Sequence, residues 1–559
     1  MLSSKFVQCS RSAASRLRGS FKNGPLRRQS VSGGSRRNIG SLTSKLSDPS
    51  KRTRALKASI LTTTSASAAA LLYSFLDQSP GDIKPSEVML HNQMDDCWIV
   101  LNGEVYDVTD FLQVHPGGAA RIMQVAGRDA TRTFYSIHSD STLDRMKDSL
   151  VYIGKLKGQF HIEEPEEEIT LREMRQKIPP LARIFNLSDF EGIAKEVLPK
   201  GTFAYYATGA SDEFSIRENH YAYGRVFFRP KVLQDIEYDV DTSTEFLGTK
   251  VDLPFYISAF AGSKLAHPLA ELNLQAVAEK ENVMQMVPKQ CSYSVDEFFE
   301  HVPDTQNQWY QYHFDNLEEL NNFPKLIKRL EEQPSIKGIF VNVDLRDIGN
   351  REKDTRQRSA DTTVSKELSS IVTSKMAYAK FTWKDVDKII ASTHLPVCLK
   401  GVQRGEDVVL AAERGVKAVV LSNHGGRQLD FSRPPLEVLA EARTMLKEKN
   451  LEDKIEIYLD GGVRRGSDII KALCMGAKGV GMGRPFLYAM AGYGEPGLEH
   501  LVQILRGEIQ NNMRLLGVER ISDLNESLVD FKSLQFRNPR ANDTLYDQGY
   551  MPLSFPAFR

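Results

Sequence analysis

Six short apolar runs punctuate the second half of the chain: Leu253 to Ser258, Gly338 to Asp344, Pro396 to Lys400, Ala418 to Ser422, Ile455 to Asp460 and Gly479 to Gly483. They are apolar almost throughout instead of alternating, which predicts strands buried on both faces, and each ends in polar or glycine residues. Amphipathic stretches of helical length lie between them. Strands alternating with helices over roughly 350 residues predict an α/β fold closed into a TIM (β/α)8 barrel, with its chemistry at the carboxyl ends of the strands. A doubly wound sheet is the competing arrangement, but no G-x-G-x-x-G opens any of these units.

The pattern differs earlier in the chain. Between about Lys84 and Leu156 short segments follow one another in the manner of a small α+β module, and an acid-rich stretch, Glu163 to Glu168, then carries too little apolar content to pack by itself and reads as a hinge. A polar stretch between Asp354 and Phe381 has no strong period and reads as a lid or loop, and a Pro-rich tail closes the chain. The predicted organisation is 1–80 targeting and apolar sorting segment, 81–157 small module, 158–178 acidic hinge, 179–545 barrel and 546–559 tail.

The small module holds His115-Pro116-Gly117-Gly118 and, 23 positions on, His138, set among Asp95-Asp96-Cys97-Trp98, Gly103 to Leu112 and Ala126 to Thr131. Pro and Gly make a tight turn able to aim His115 off a helix end. These residues resemble a cytochrome b5 domain. The resemblance implies haem b held by His115 and His138, a closed iron and hence an electron relay.

Charge adds a compartment. The 559 residues carry no formal net charge and are 41% hydrophobic, which argues for globular domains and against nucleic-acid binding. Yet no acidic residue precedes Asp48, while Lys5, Arg11, Arg16, Arg18, Lys22, Arg27, Arg28, Arg36, Arg37 and Lys45 stand among serines, as in a mitochondrial targeting peptide. Ala58 to Leu76 follows without charge. A basic presequence plus such a segment predicts the mitochondrial intermembrane space, with a retained membrane anchor as the alternative. Cys9, Cys97, Cys291, Cys398 and Cys474 suggest neither a disulfide framework nor a zinc site.

At the strand ends stand Asp344, Lys400, His424, Arg427, Asp460 and Arg464, in the words Lys400-Gly401-Val402, Ser422 to Asp430, Asp460-Gly461-Gly462-Val463-Arg464 and Gly483-Arg484-Pro485-Phe486. With these words the chain is similar to the FMN-dependent L-2-hydroxy acid oxidising family, over about Ser188 to Tyr546. Late glycine turns followed by helices make anion sites in such barrels, so Gly461, Gly462, Val463, Arg464, Gly483 and Arg484 suit the FMN phosphate. The resemblance implies that Asp460 takes the ribityl hydroxyls, that Lys400 sits by the flavin, and that Ala259, Phe260, Ala261, Gln311 and Asn342 line it. It further implies His424 as general base oriented by Asp344, and Arg351, Arg427 and Tyr205 as holders of the substrate carboxylate.

Joined to a b5-like domain, the barrel implies oxidation of an L-2-hydroxy acid, lactate first, with electrons passing from FMN to haem and then to cytochrome c, in a homotetramer. Some positions depart from the family. Trp309-Tyr310-Gln311-Tyr312-His313 puts histidine where the family has a catalytic tyrosine, and Tyr312, next to Gln311 on a strand, faces the other way. His313 is expected against the substrate all the same, as is Gln290, which stands at a leucine position; Pro288 aligns with a flavin-binding serine and Phe260 replaces a threonine. These changes keep two alternatives open: a glycolate- or mandelate-type paralogue, or a haem-binding electron-transfer protein with an impaired flavin site.

Overall fold

A computed structural model describes residues 82–115, 119–135, 137, 138, 141–160, 166–360 and 380–536. The expected targeting segment, the Ala58 to Leu76 run, the residues His161 to Pro165 of the hinge and the C-terminal tail lie outside them. Among the described residues no helix is long and apolar enough to cross a membrane.

The small module is a five-stranded sheet made of β1 (Asp82–Ile83), β2 (Asn92–Gln93), β3 (Asp96–Leu101), β4 (Glu104–Asp107) and β5 (Val151–Leu156), in the order β1-β5-β4-β3-β2. Alternation along β3 explains its two sides. Cys97, Ile99 and Leu101 pack with Leu112, Ile122 and Leu143 on one face, while Val100 packs with Ile83, Val88 and Val105 on the other. The first face carries the short helices that present the two histidines.

Part of the expected hinge is helical. Glu166–Lys177 is rich in Glu and Arg, both good helix formers, and their propensity is enough for a solvent-facing helix without a buried stripe. Its Glu167 carboxylate accepts from the Lys200 backbone N–H at 3.0 Å, and Glu168 pairs with Arg132 of the small module. The expected lid also begins as a helix, Glu352–Ala360, and residues 361–379 lie outside the described set.

The larger part is a closed parallel barrel of β6 (Phe255–Ile257), β7 (Met284–Pro288), β8 (Gln308–Tyr312), β9 (Ile336–Asn342), β10 (Val397–Val402), β11 (Ala418–Leu421), β12 (Glu456–Asp460) and β13 (Gly479–Met482), with β13 pairing back onto β6. This decides between the two arrangements open to the sequence. The six expected runs are all barrel strands, and β7 and β8 complete the eight. Inside, Tyr256, Met286, Trp309, Phe340, Cys398 and Tyr458 fill the barrel as a packed plug. The alternating glycines of β13 make room for it: a Cβ on Gly479 would lie 2.4 Å from Phe246, and one on Gly481 2.4 Å from the Tyr256 ring.

Candidate active site and haem site

Strand periodicity places the site. Two residues beyond the aromatic layer the same inward face turns polar, with Ser258, Gln311, Asn342, Lys400, Ser422 and Asp460 at the carboxyl ends of their strands. The Lys400 ammonium lies 3.4 Å from Ser422 Oγ and 3.4 Å from Asp460 Oδ2, and the Ser422 hydroxyl donates to Asp460 Oδ1 at 2.5 Å. Burial pulls the Lys400 pKa down, but the Asp460 and Asp344 carboxylates outweigh it and hold the pKa above the ordinary lysine value.

Above this floor the loop after β11 turns sharply, with His424 itself in the left-handed region at φ 59°. Two buried amides hold the turn. Asn219 and Asn423 exchange reciprocal side-chain bonds of 2.7 Å, and Asn423 Oδ1 accepts from the Gly426 N–H at 3.0 Å. His424 Nδ1 then lies 3.0 Å from Asp344 Oδ2 at the end of β9, and its N–H donates to Ser422 Oγ at 3.0 Å. The contact requires Gly401 (φ 100°), because a Cβ there would lie 2.5 Å from Asp344 Cγ.

The charges around His424 oppose one another. Burial lowers its pKa, Asp344 raises it, and Lys400 and Arg351 lower it again, with a net value below the ordinary histidine range. Burial likewise pushes the Asp344 carboxyl up, but His424 and Lys400 prevail and its pKa falls. With Nδ1–H committed to a carboxylate, a neutral imidazole leaves Nε2 free to accept a proton.

Beside the histidine sit two guanidiniums. Gly349 packs without a side chain on the backbone of Arg427 and Gln428, where a Cβ would lie 2.2 Å from the Arg427 carbonyl, and this draws the β9 loop in until Arg351 Nε donates to that carbonyl at 3.4 Å. Gln428 fastens the same two loops by donating to the Asp344 and Asp347 carbonyls at 2.8 and 2.7 Å. Burial and the neighbouring Arg351 charge lower the Arg427 pKa to about 10. Arg427 faces the Tyr205 ring at 5.2 Å. Two cations brought together beside an imidazole are chemically suited to receive a carboxylate.

Other expected site residues have protein partners. Arg484 donates to the Tyr206, Gly425 and Thr208 carbonyls at 2.8, 3.0 and 3.1 Å, and Arg464 pairs with Glu191 at 2.8 Å, so Arg484 braces the His424 turn while both stand next to the late glycine turns. Gly461 and Gly462 have positive φ and press on Asn219, Val463 is buried, and Gly483 lies beside Phe260. Ala259 and Ala261 flank Phe260 at half-buried positions, and Gln290 is exposed. Tyr312 points outward into a cluster with Phe314 and Phe323, as the alternation requires. His313 is buried, its Nε2 3.2 Å from Asp315 Oδ1 and its Nδ1 3.5 Å from the Gln311 amide nitrogen.

Sequence reasoning missed Ser258, Ser422, Asn219, Asn423, Gln428 and Glu191. Ser422, Asn423 and Gln428 lie inside a word already singled out; Asn219, 204 positions from Asn423, has no motif to announce it. Ser258 Oγ and Asn342 Oδ1 are buried at the barrel mouth and have no hydrogen-bond partner among the described residues, as a cradle for a polar ring system demands. The mouth therefore fits FMN.

In the small module the His115 N–H donates to the Phe111 carbonyl at 3.0 Å and the His138 N–H to the Phe134 carbonyl at 2.9 Å, which sets both rings over the apolar face of the sheet. Their centroids are 6.1 Å apart. Two imidazoles bonded to one metal from opposite sides at about 2 Å place their centroids about 6 Å apart, so the pair fits an iron between them. Burial, then the His115, Lys264 and Arg145 charges, lowers the His138 pKa to about 4, which keeps it the neutral ligand.

The pattern of the FMN-dependent dehydrogenases matches residues 194–531. The chain belongs to this family. The cytochrome b5-like haem/steroid binding domain matches residues 84–157, so one chain unites a flavin barrel with a haem module and is an oxidoreductase carrying FMN and haem. An L-lactate dehydrogenase (cytochrome) of Wickerhamomyces anomalus is 46% identical over 496 residues, covering 86% of this chain and 85% of the relative. That of Saccharomyces cerevisiae is 44% identical over 504 residues, covering 85% and 84%. A double mutant of flavocytochrome b2 with pyruvate bound has 45% identity and a TM-score of 0.63, over 71% of this chain and 100% of its own.

Proposed function

We propose that the chain oxidises L-lactate to pyruvate and delivers the electrons, through FMN and haem b, to cytochrome c. The observation that carries this reading is the part-buried His424–Asp344 pair, 3.0 Å apart, set between a lysine floor and the Arg351–Arg427 pair. Relatives named L-lactate dehydrogenase (cytochrome) support it, as does the pyruvate in the similar flavocytochrome b2.

Arg427 and Arg351, with the Tyr205 hydroxyl, hold the substrate carboxylate and so fix the 2-hydroxy carbon beside His424. His424 Nε2 takes a proton from the substrate, and Asp344 stabilises the imidazolium that results. Substrate oxidation releases two electrons and two protons and leaves the 2-oxo acid. FMN, when bound, supplies the capacity to accept a pair of electrons and release them singly. Ser258, Gln311, Asn342, Asp460 and the backbone of Ala259, Phe260 and Ala261 would hold it, with Gly461, Gly462, Val463, Arg464, Gly483 and Arg484 around its phosphate. Lys400 keeps a positive charge where negative charge gathers on reduction. His115 and His138 would close the haem iron and make it a relay.

A mitochondrial intermembrane-space location, reached through the basic presequence, and a homotetrameric assembly complete the reading. A second reading, a glycolate- or mandelate-type substrate, draws on the exposed Gln290 and on His313 turned towards Asp315. Glycolate, L-lactate, 2-hydroxybutyrate and mandelate assayed with cytochrome c as acceptor separate the two. L-lactate should have the highest kcat/KM, and a higher value for mandelate or glycolate contradicts the first reading.

A further inference from the structure

The β6 loop links the flavin cradle to the haem ligand. Three residues beyond Ala261, the Lys264 ammonium donates to the main-chain carbonyl of His138 at 2.9 Å. Its own segment is fixed: the Tyr206 hydroxyl donates to the Gly262 carbonyl at 2.5 Å, and the Lys264 N–H donates to Ser292 Oγ at 3.3 Å. The Lys264 side chain lies over the Tyr293 ring at 5.1 Å. Among the described residues no carboxylate pairs with it, and its ammonium contacts are the His138 carbonyl and the Tyr293 ring. Nothing in the chemistry of substrate oxidation calls for a cation here.

We propose that Lys264 is the positioning residue that couples the two redox sites, anchoring the His138 segment to the loop that leaves the flavin cradle and raising the haem reduction potential with its charge. The inference rests on the reading of the chain as a flavin-to-haem electron carrier. Two electrons leave each 2-hydroxy acid, and each in turn reduces one ferric haem to ferrous before passing to a one-electron acceptor. The route from Ala261 to the iron ligand runs along three residues of backbone, the Lys264 side chain and one hydrogen bond, so loss of that bond breaks the bonded path and frees the module to move. A nearby cation disfavours the more positive ferric state, and hydrogen bonds to the ligand segment and local charge are established means of tuning haem potentials.

The test uses the full-length holoenzyme with Lys264→Met, which keeps the length and loses the charge and donors, and Lys264→Arg, which keeps both. Flavin reduction by L-lactate, followed by stopped flow, should stay within about twofold of the wild type, while haem reduction slows about tenfold or more. Spectroelectrochemical titration should show the Lys264→Met haem midpoint lowered, the ferric-to-ferrous ratio at a fixed potential rising up to about tenfold, equivalent to about 59 mV for one electron. Lys264→Arg should restore most of both. An unchanged haem midpoint in Lys264→Met, or flavin reduction slowed as much as haem reduction, overturns the proposal. Failure of the underlying reading looks different: L-lactate would then leave the wild-type flavin oxidised.

Discussion

Asp344→Asn isolates the group that makes His424 a base. The Asp344 side chain is 1% exposed and its Oδ2 lies 3.0 Å from His424 Nδ1, so solvent cannot replace the lost charge. The substitution preserves shape but leaves the imidazolium formed during turnover without its counter-charge on its buried Nδ1 side, beside the Lys400 and Arg351 cations that already lower the His424 pKa. Removing one partner of a buried pair costs about 3–5 kcal/mol, which at about 1.4 kcal/mol per decade is roughly a 10²- to 10⁴-fold loss in rate. An asparagine can also donate to Nδ1 and select the wrong tautomer, which acts in the same direction. Lys400 keeps Asp460 at 3.4 Å, so the floor of the site survives. The assay is single-turnover flavin reduction by L-lactate, with pyruvate affinity measured in parallel as a check on the Arg351–Arg427 clamp. Pyruvate should bind within about threefold of the wild type while the rate collapses. A rate within about threefold of the wild type would refute the assignment of Asp344 as orienter and counter-charge.

Four further outcomes follow from the geometry. His115→Ala or His138→Ala should abolish the haem spectrum and leave flavin reduction by L-lactate intact, and the reduced wild-type haem, closed by two imidazoles, should refuse carbon monoxide; a carbon monoxide spectrum contradicts the closed iron. Because the His424 pKa is depressed and its base form is the active one, kcat/KM should fall only as pH drops through a value below the ordinary 6.5, with a level profile above it; an inflection above 6.5 assigned to His424 by its loss in His424→Gln would contradict the charge balance. Gly401→Ala should push Asp344 off the imidazole and cost about 1–3 kcal/mol of stability from the left-handed backbone alone, read by denaturant melting together with slowed flavin reduction. His313→Tyr should raise turnover with L-lactate, since a phenol reaches past the Asp315 carboxylate that now holds the imidazole; unchanged turnover would remove position 313 from the substrate contacts.

Much of this was legible because it is written in local pattern. Buried parallel strands advertise themselves as unbroken apolar runs, and the turns after β11, β12 and β13 advertise themselves by glycine next to charge. His115 is marked by its turn residues, Pro116 to Gly118, which lie outside the described set, and His138 by the resemblance of the words around it. What stayed hidden depends on distance in the chain. Asn219 and Glu191 act on residues hundreds of positions away, and nothing in their own neighbourhoods distinguishes them from surface polar groups. Arg484 reads as a phosphate ligand by its glycine turn, and what that reading did not show is that three of its five N–H donors also brace the Tyr206, Gly425 and Thr208 carbonyls. The helix over Glu166–Lys177 was masked by its charge: a helix without an apolar stripe looks like a linker to any argument based on hydrophobic period.

The central claim is that one chain takes electrons from L-lactate at the barrel and passes them to its own haem. The direct test is a stopped-flow visible spectrum of the purified holoenzyme mixed with L-lactate under anaerobic conditions, with no external acceptor. The account predicts loss of flavin absorbance followed by the bands of ferrous haem, both absent in His424→Gln. Haem that stays ferric while flavin bleaches would contradict the coupling of the two sites, and flavin that stays oxidised would contradict the account at its source.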